Sequence, residues 1–244
     1  MIVKTLKRAA AVAAILSTAT VANANVLGMK KFHVGADVMG TTLDWNTTGG
    51  KNIFPKNPMN FGVFVGGEFY NVTNEFGLGL ELGVEYMQKT NKNAAVTGGN
   101  SGNATAPVNA GYTFNYNSKL KAITPYLGIT GSYSINEQFK LISMIGAGLA
   151  VTTVNQSLAG VTENGAPVVT SMNIPKLKKN AFVPMVRVGA QYNFNENIGV
   201  RANVGYRYMK ALKARVFSTD ADEYFSMQAK NSMLTYGAGV VFSF

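Results

Sequence analysis

From Gly77 to Met87 the chain alternates without a break. Leu78, Leu80, Leu82, Val84 and Tyr86 fall on one set of alternate residues, and Gly77, Gly79, Glu81, Gly83 and Glu85 on the other. Side chains repeat on a face every two residues only in an extended strand, so this stretch predicts a sheet with one apolar and one polar face. Ser232–Phe244, reading SMLTYGAGVVFSF, has the same period. Leu234, Tyr236, Ala238, Val240, Phe242 and Phe244 share one side, and Thr235, Gly237, Gly239, Val241 and Ser243 the other.

The period recurs eight times, over about Phe32–Leu43, Asn60–Tyr70, Gly77–Met87, Lys121–Ser134, Gln138–Thr152, Ala181–Phe194, Ile198–Lys210 and Ser232–Phe244. The connections between these runs alternate in length. Asn71–Phe76, Ile135–Glu137 and Asn195–Asn197 are short. Asp44–Met59, Gln88–Leu120, Thr153–Asn180 and Ala211–Asn231 are long. Short turns at one end and long loops at the other, on an even number of antiparallel strands, are the pattern of a transmembrane barrel. A sandwich has no reason to show it. The expected fold is all-β: an eight-stranded antiparallel up-and-down transmembrane β-barrel with short periplasmic turns and long extracellular loops.

Composition fits a membrane wall made of strands. Hydrophobic residues make up 47% of 244, yet beyond the N-terminus no run approaches the ~18 apolar residues of a membrane helix. Aromatics gather at the strand ends. Phe32, Phe69, Phe76, Tyr133, Phe139, Phe194 and Phe244 fall at the expected periplasmic ends, and Phe61, Tyr86, Phe182 and Tyr208 at the outer ends. Rings of this kind sit at headgroup level as two girdles.

Residues 1–24 read as a secretory signal peptide. Lys4, Lys7 and Arg8 form a basic start, Ala9–Val21 an apolar core, and Ala22-Asn23-Ala24 a small-residue cleavage site. Cleavage is expected after Ala24, leaving an outer-membrane barrel domain over residues 25–244. There is no cysteine and one histidine, so neither a disulfide nor a transition-metal site is expected, and no cofactor.

The lumen-facing sets hold the ionisable residues. Asp37, Glu68, Glu81 and Glu85 come from the first three strands, and Lys140, Arg187, Arg201 and Arg207 from the later ones. An eight-stranded barrel is just wide enough for side chains to fill it, and a lone charge there is costly. Acids and bases are therefore expected to pair across it. Two readings stay open: a salt-bridged core, and a constriction that selects small ions or solutes. An enzyme is not expected. His33 and Asp37 lie on one face but about 13 Å apart along a strand, too far for a dyad.

The long loops are basic, the chain carrying a formal +10. Lys176, Lys178, Lys179, Lys213 and Arg215 stand out, and acids near them are few. Contact with lipopolysaccharide phosphates and adhesion to anionic host molecules are both open to such loops. Nucleic acid is not an expected partner of an exported chain without interleaved aromatic and basic residues. The Asn-, Ala-, Gly- and Thr-rich stretch Asn91–Asn109 is expected to be flexible.

Thr124-Pro125-Tyr126-Leu127-Gly128, Val188-Gly189-Ala190-Gln191-Tyr192, Val200–Tyr208 and the terminal Phe resemble the porin-like outer-membrane β-barrel family of Gram-negative bacteria. That family includes the OmpA-type transmembrane barrel, OmpX, OmpW and the opacity-type surface proteins. The resemblance implies insertion into the outer membrane by the barrel-assembly machinery, with Tyr236, Phe242 and Phe244 as the insertion signal. It implies a structural and surface-interaction role, with a narrow porin-like channel as the alternative. It supplies no ligand.

Overall fold

A computed structural model of the chain describes residues 31–42, 45–46, 57–97, 112–163, 166–169, 172–209, 213–218, 223–229 and 232–244. The expected signal peptide lies outside them. Eight strands form the barrel: β1 Lys31–Thr41, β2 Met59–Asn71, β3 Phe76–Thr97, β4 Tyr112–Ser134, β5 Phe139–Glu163, β6 Met172–Asn193, β7 Ile198–Tyr208 and β8 Ser232–Ser243. Each is antiparallel to the next in sequence where the two pair directly, and β1 pairs with β8, which closes the sheet. Closure leaves no strand edge within the barrel wall, as hydrocarbon requires of a spanning sheet.

Register sets the barrel's dimensions. Paired residues lead around the wall from Ser243 through His33, Gly66, Glu81, Gly128, Gly146, Met185 and Arg207, and return to β8 at Met233, ten residues from the start (243 minus 233). With eight strands, a stagger of ten corresponds to a tilt of about 40° and a backbone radius of about 8 Å. Each residue then climbs about 2.5 Å along the barrel axis.

The faces follow the alternation. β7 runs exposed and buried in strict turn from Ile198 to Tyr208. The exposed set across the barrel is apolar: Ile145 is 72% exposed, Val188 63% and Ile129 59%. Exposed apolar residues continue around the wall as a band far beyond an ordinary surface patch, and this band is the lipid-facing surface. Aromatics rim it. Tyr133, Tyr192, Phe194 and Phe244 are exposed at the turn end, and Phe182, Tyr208 and Tyr236 at the other. From the stagger the two rims lie about 20 Å apart, close to the ~25 Å of an outer-membrane apolar band. One girdle residue departs from simple alternation. Phe69 sits at a bulge, where the β2–β3 register shifts between Glu68 and Tyr70.

The short turns are built by side-chain capping. Asn136 Oδ1 accepts from the amides of Gln138 (2.9 Å) and Phe139 (2.7 Å). Asn195 Oδ1 accepts from Asn197 (2.9 Å) and Ile198 (2.8 Å), and Thr73 Oγ1 from Glu75 and Phe76. Short polar side chains that bond their own backbone two or three residues on pre-form a tight reversal. Asn195→Ala is expected to cost about 1 kcal/mol in the urea unfolding of lipid-reconstituted protein, the range seen for lost caps. An unchanged unfolding midpoint would show that the turn is set by the strands alone.

Four strands run on past the membrane. β2 stops pairing with β3 at Met59–Gln88, and β7 stops pairing with β6 at Met185–Arg207. Yet β3 and β4 stay paired out to Thr97–Thr113, β4 and β5 to Tyr112–Glu163, and β5 and β6 to Leu158–Met172. β3–β6 thus continue as a four-stranded wall roughly 30 Å tall on one side of the barrel. This corrects the expectation of flexible loops: residues 91–97 are strand, while residues 98–109 lie outside the described residues. A separate small sheet joins Lys213–Ser218, Glu223–Ala229 and Trp45–Asn46.

Candidate functional site

The barrel interior is where the ionisable side chains meet. Arg201 on β7 stands at the centre. Its Nε donates to Asp37 Oδ1 (3.0 Å), its Nη2 to Asp37 Oδ2 (2.5 Å) and its Nη1 to Glu81 Oε2 (2.7 Å). One guanidinium thus joins β1, β3 and β7. Two parallel bonds to one carboxylate fix orientation as well as charge, which a lysine could not do. The guanidinium also lies over the ring of Phe64, 3.4 Å from its centre.

A second cluster sits one level outward. Arg187 on β6 pairs with Glu85 and approaches Glu81 Oε1 at 3.8 Å, and Arg207 on β7 also pairs with Glu85. Tyr126 OH donates to Glu81 Oε1 (2.7 Å) and accepts from Arg187 Nη1 (3.4 Å). Asp37, Glu81, Glu85, Arg187, Arg201 and Arg207 are all at most 6% exposed. Lys140 and Glu68 are set apart near the periplasmic end. They lie 4.0 Å from each other, both part-exposed, and Glu68 accepts from Ser132 Oγ at 2.8 Å. The eight ionisable residues read from the sequence therefore form two groups, six in a buried network and two in a loose pair.

Sequence reasoning passed over Phe64 and Tyr126, which also point inward. Each faces a glycine in register, Gly35 opposite Phe64 and Gly83 opposite Tyr126. A Cβ at either glycine would overlap the facing ring. The glycines make room for aromatic plates against which the arginines pack.

Above the ion pairs methionines crowd the lumen, beside the buried polar side chains of Thr41, Asn60 and Thr152, where Asn60 Nδ2 donates to Thr41 Oγ1 at 2.7 Å. Met39, Met87, Met185, Met209 and Met233, with Val183, are at most 8% exposed. The cavity left at this level is only about 20 Å³. Leu120 and Val154, which face the same way above the rim, are buried too. Toward the periplasm the lumen widens into an open vestibule of about 960 Å³, lined by His33, Glu68, Lys140, Gln191 and Arg201 among others. The interior is thus a blind vestibule, then a charged plug, then a close-packed, methionine-rich cap.

His33 borders the vestibule, its ring edge-on to Phe64 with centres 6.0 Å apart. The Asp37 carboxylate is occupied by Arg201. Tyr236, Phe242 and Phe244 all face outward, and the Phe244 ring lies 6.4 Å from that of Phe32. Lys176, Lys178 and Lys179 fall on the external part of β6, and Lys213 and Arg215 on the strand Lys213–Ser218.

With fold and interior in view, the sequence model of the outer membrane protein beta-barrel domain matches residues 9–242. The chain belongs to that family. It is an outer-membrane β-barrel protein, and the aromatic rims, lipid-facing band and plugged lumen are its membrane domain. The outer membrane protein OprG of Pseudomonas aeruginosa shares the fold, with TM-score 0.51, 12% identity and coverage of 89% of this chain and 98% of that one. Ail, the attachment invasion locus protein of Yersinia pestis, aligns at TM-score 0.44 and 13% identity, over 88% and 98% of the two chains. The outer membrane protease OmpT of Escherichia coli aligns at 0.47 and 13%, over 88% and 97%. No characterised protein matches by sequence alone.

Proposed function

We propose that this barrel is a surface-interaction protein, its membrane part a sealed anchor and its external wall the contact surface. The observation that carries the reading is the pairing of a continued four-stranded wall with a filled lumen beneath it. A channel needs a continuous polar path. Here the six-residue ion-pair network and the methionine layer occupy the cross-section, and the cavity among them is no larger than about 20 Å³. A hydrogen-bonded sheet presents side chains at fixed spacing and loses less entropy on binding than a free loop would. The wall and its neighbours carry Lys119, Lys121, Lys176, Lys178 and Lys179, so an anionic partner, such as sulfated glycan on a host surface, fits best. The vestibule ends blind, and among the described residues its His33 is bonded to no acid or nucleophile, which favours a non-enzymatic role.

Two measurements test this. In planar bilayers the purified barrel is expected to show no conductance above leak, whereas steady single-channel steps altered by Arg187→Ala would restore the narrow-channel reading. Replacing residues 89–119 and 154–178 by short turns is expected to abolish retention on a heparin column while the heat-modifiable gel shift of the folded barrel persists. Retention unchanged in the trimmed barrel would remove the wall from the function.

A further inference from the structure

The periplasmic vestibule has no part in the external contact surface, yet it is built like a binding site. It holds about 960 Å³, within the range of small-ligand cavities, and it closes on the ion-pair network. Its floor includes Asn203 on β7, which is 5% exposed. The cross-strand neighbours of Asn203 are Gly189 on β6 and Gly237 on β8, and neither offers it a side chain. Among the described residues neither Oδ1 nor Nδ2 of Asn203 has a hydrogen-bond partner, and Arg187 Nε on the same floor is a further unpartnered donor. Buried amides are ordinarily bonded, so a donor and an acceptor held side by side at the floor fit a group that offers both. The mouth is acidic. Each of the three short turns carries one exposed glutamate at the rim: Glu75, Glu137 and Glu196. With Glu68 they place four carboxylates outside the ion-pair network, against the ammoniums of Lys31 and Lys140 among the described residues.

We infer that the vestibule binds a short, extended peptide segment with basic side chains, entering from the periplasm. The N–H and C=O of one extended residue point to the same side, as in a hydrogen-bonded antiparallel pair, so the Asn203 carboxamide meets both. From Asn203 to Asn197 the wall spans about 15 Å along the barrel axis, the depth that four or five extended residues fill. Basic side chains nearer the mouth then face Glu68 and the rim glutamates. Other ligands use only part of this arrangement. A polyamine meets the glutamates but leaves Asn203 Nδ2 without an acceptor. A neutral sugar gains nothing from the excess of carboxylate charge, and an acidic or phosphorylated ligand is repelled by it. The ion pairs beneath stay closed, so the segment is held at the floor and does not pass through the barrel.

The test is titration calorimetry on the full barrel in phosphatidylcholine nanodiscs, which leave the periplasmic mouth open, with folding of each variant checked by gel mobility. The probes are the acetylated, amidated pentapeptide AKAKA, its acidic counterpart AEAEA, and spermidine. The parent barrel is expected to bind AKAKA and not AEAEA. Asn203→Ala should weaken AKAKA binding roughly tenfold, the effect of two hydrogen bonds. The triple variant E75Q/E137Q/E196Q should weaken it too and flatten its salt dependence, since exposed charges are screened. Spermidine should bind more weakly than AKAKA, and equally to the parent and Asn203→Ala. Thr130→Trp, which fills the vestibule from β4, is the second variant and should abolish binding. Unchanged AKAKA binding in Asn203→Ala would mean that water alone serves the carboxamide, and would overturn the site. So would unchanged binding in Thr130→Trp, equal binding of AKAKA and AEAEA, or no binding by the parent. Spermidine binding more tightly than the peptide would overturn it as well, marking a simple cation trap at the rim.

Discussion

Arg201→Ala is expected to destabilise the barrel by about 3–5 kcal/mol, the largest effect of any single lumen substitution, because it leaves buried carboxylates without their cation. Asp37 loses both of its guanidinium bonds, and its side chain is only 1% exposed. Glu81 fares better, since Tyr126 OH and the more distant Arg187 remain. The loss should therefore be concentrated on Asp37, and adding Asp37→Asn to Arg201→Ala should recover a good part of it. Lys140→Ala offers the contrast. Its 4.0 Å contact with Glu68 is part-exposed, and such pairs are worth at most about 1 kcal/mol. Urea titration of the folded, heat-modifiable form in lipid vesicles measures all three. A loss below about 1 kcal/mol for Arg201→Ala would mean that the plug fills space without holding the strands.

That asymmetry bears on why the lumen is plugged by charge at all. A buried ion pair rarely stabilises more than a well-packed apolar pair of the same size. What Arg201 adds is connection: it ties β1, next to the closing seam with β8, to β3 and β7. A one-residue slip in any of these strands would turn Asp37, Glu81 or Arg201 out into lipid, so the network penalises wrong registers. The apolar methionine layer cannot do this, since flexible thioethers pack in many arrangements.

The membrane part of this molecule was legible because lipid and lumen make opposite demands on alternate residues. Leu78 to Tyr86, Phe182 to Phe194 and Ile198 to Tyr208 carry that contrast openly, and so did the eight inward charges. The wall above the membrane was less legible, because it meets no hydrocarbon to enforce an apolar outer face. Alternation persists at Tyr112–Lys121, where Tyr112, Phe114, Tyr116 and Leu120 alternate with Thr113, Asn115, Asn117, Lys119 and Lys121, but it weakens over Thr153–Glu163, and the polar, glycine-containing stretches beside them read as loop. Phe64 and Tyr126 were missed because an inward aromatic breaks the polar-inside rule. The signal that could have found them was the pairing of each with a lumen glycine, Gly35 and Gly83, and that needs register, which a single strand does not supply.

Face assignment is most exposed to test at Ile145. From the stagger this residue lies near the middle of the apolar band, and it is 72% exposed there. Ile145→Lys is expected to cost about 2–4 kcal/mol in lipid vesicles, the midplane price of an ammonium on a barrel's outer face. Depth then supplies an internal control. Phe194 sits at the periplasmic rim, outside the hydrocarbon centre, and Phe194→Lys should lose only about 0–1 kcal/mol to the charge, with a further loss for the missing ring. The neighbour Met144 faces the lumen and is 4% exposed. Met144→Lys would open onto the vestibule that holds Glu68 and Glu81, so its cost should depend on packing and respond to added salt, while that of Ile145→Lys should not. Equal costs at Ile145 and Phe194 would contradict the depth order derived from the ten-residue stagger. A small cost at Ile145 would mean that this row of the wall does not meet hydrocarbon.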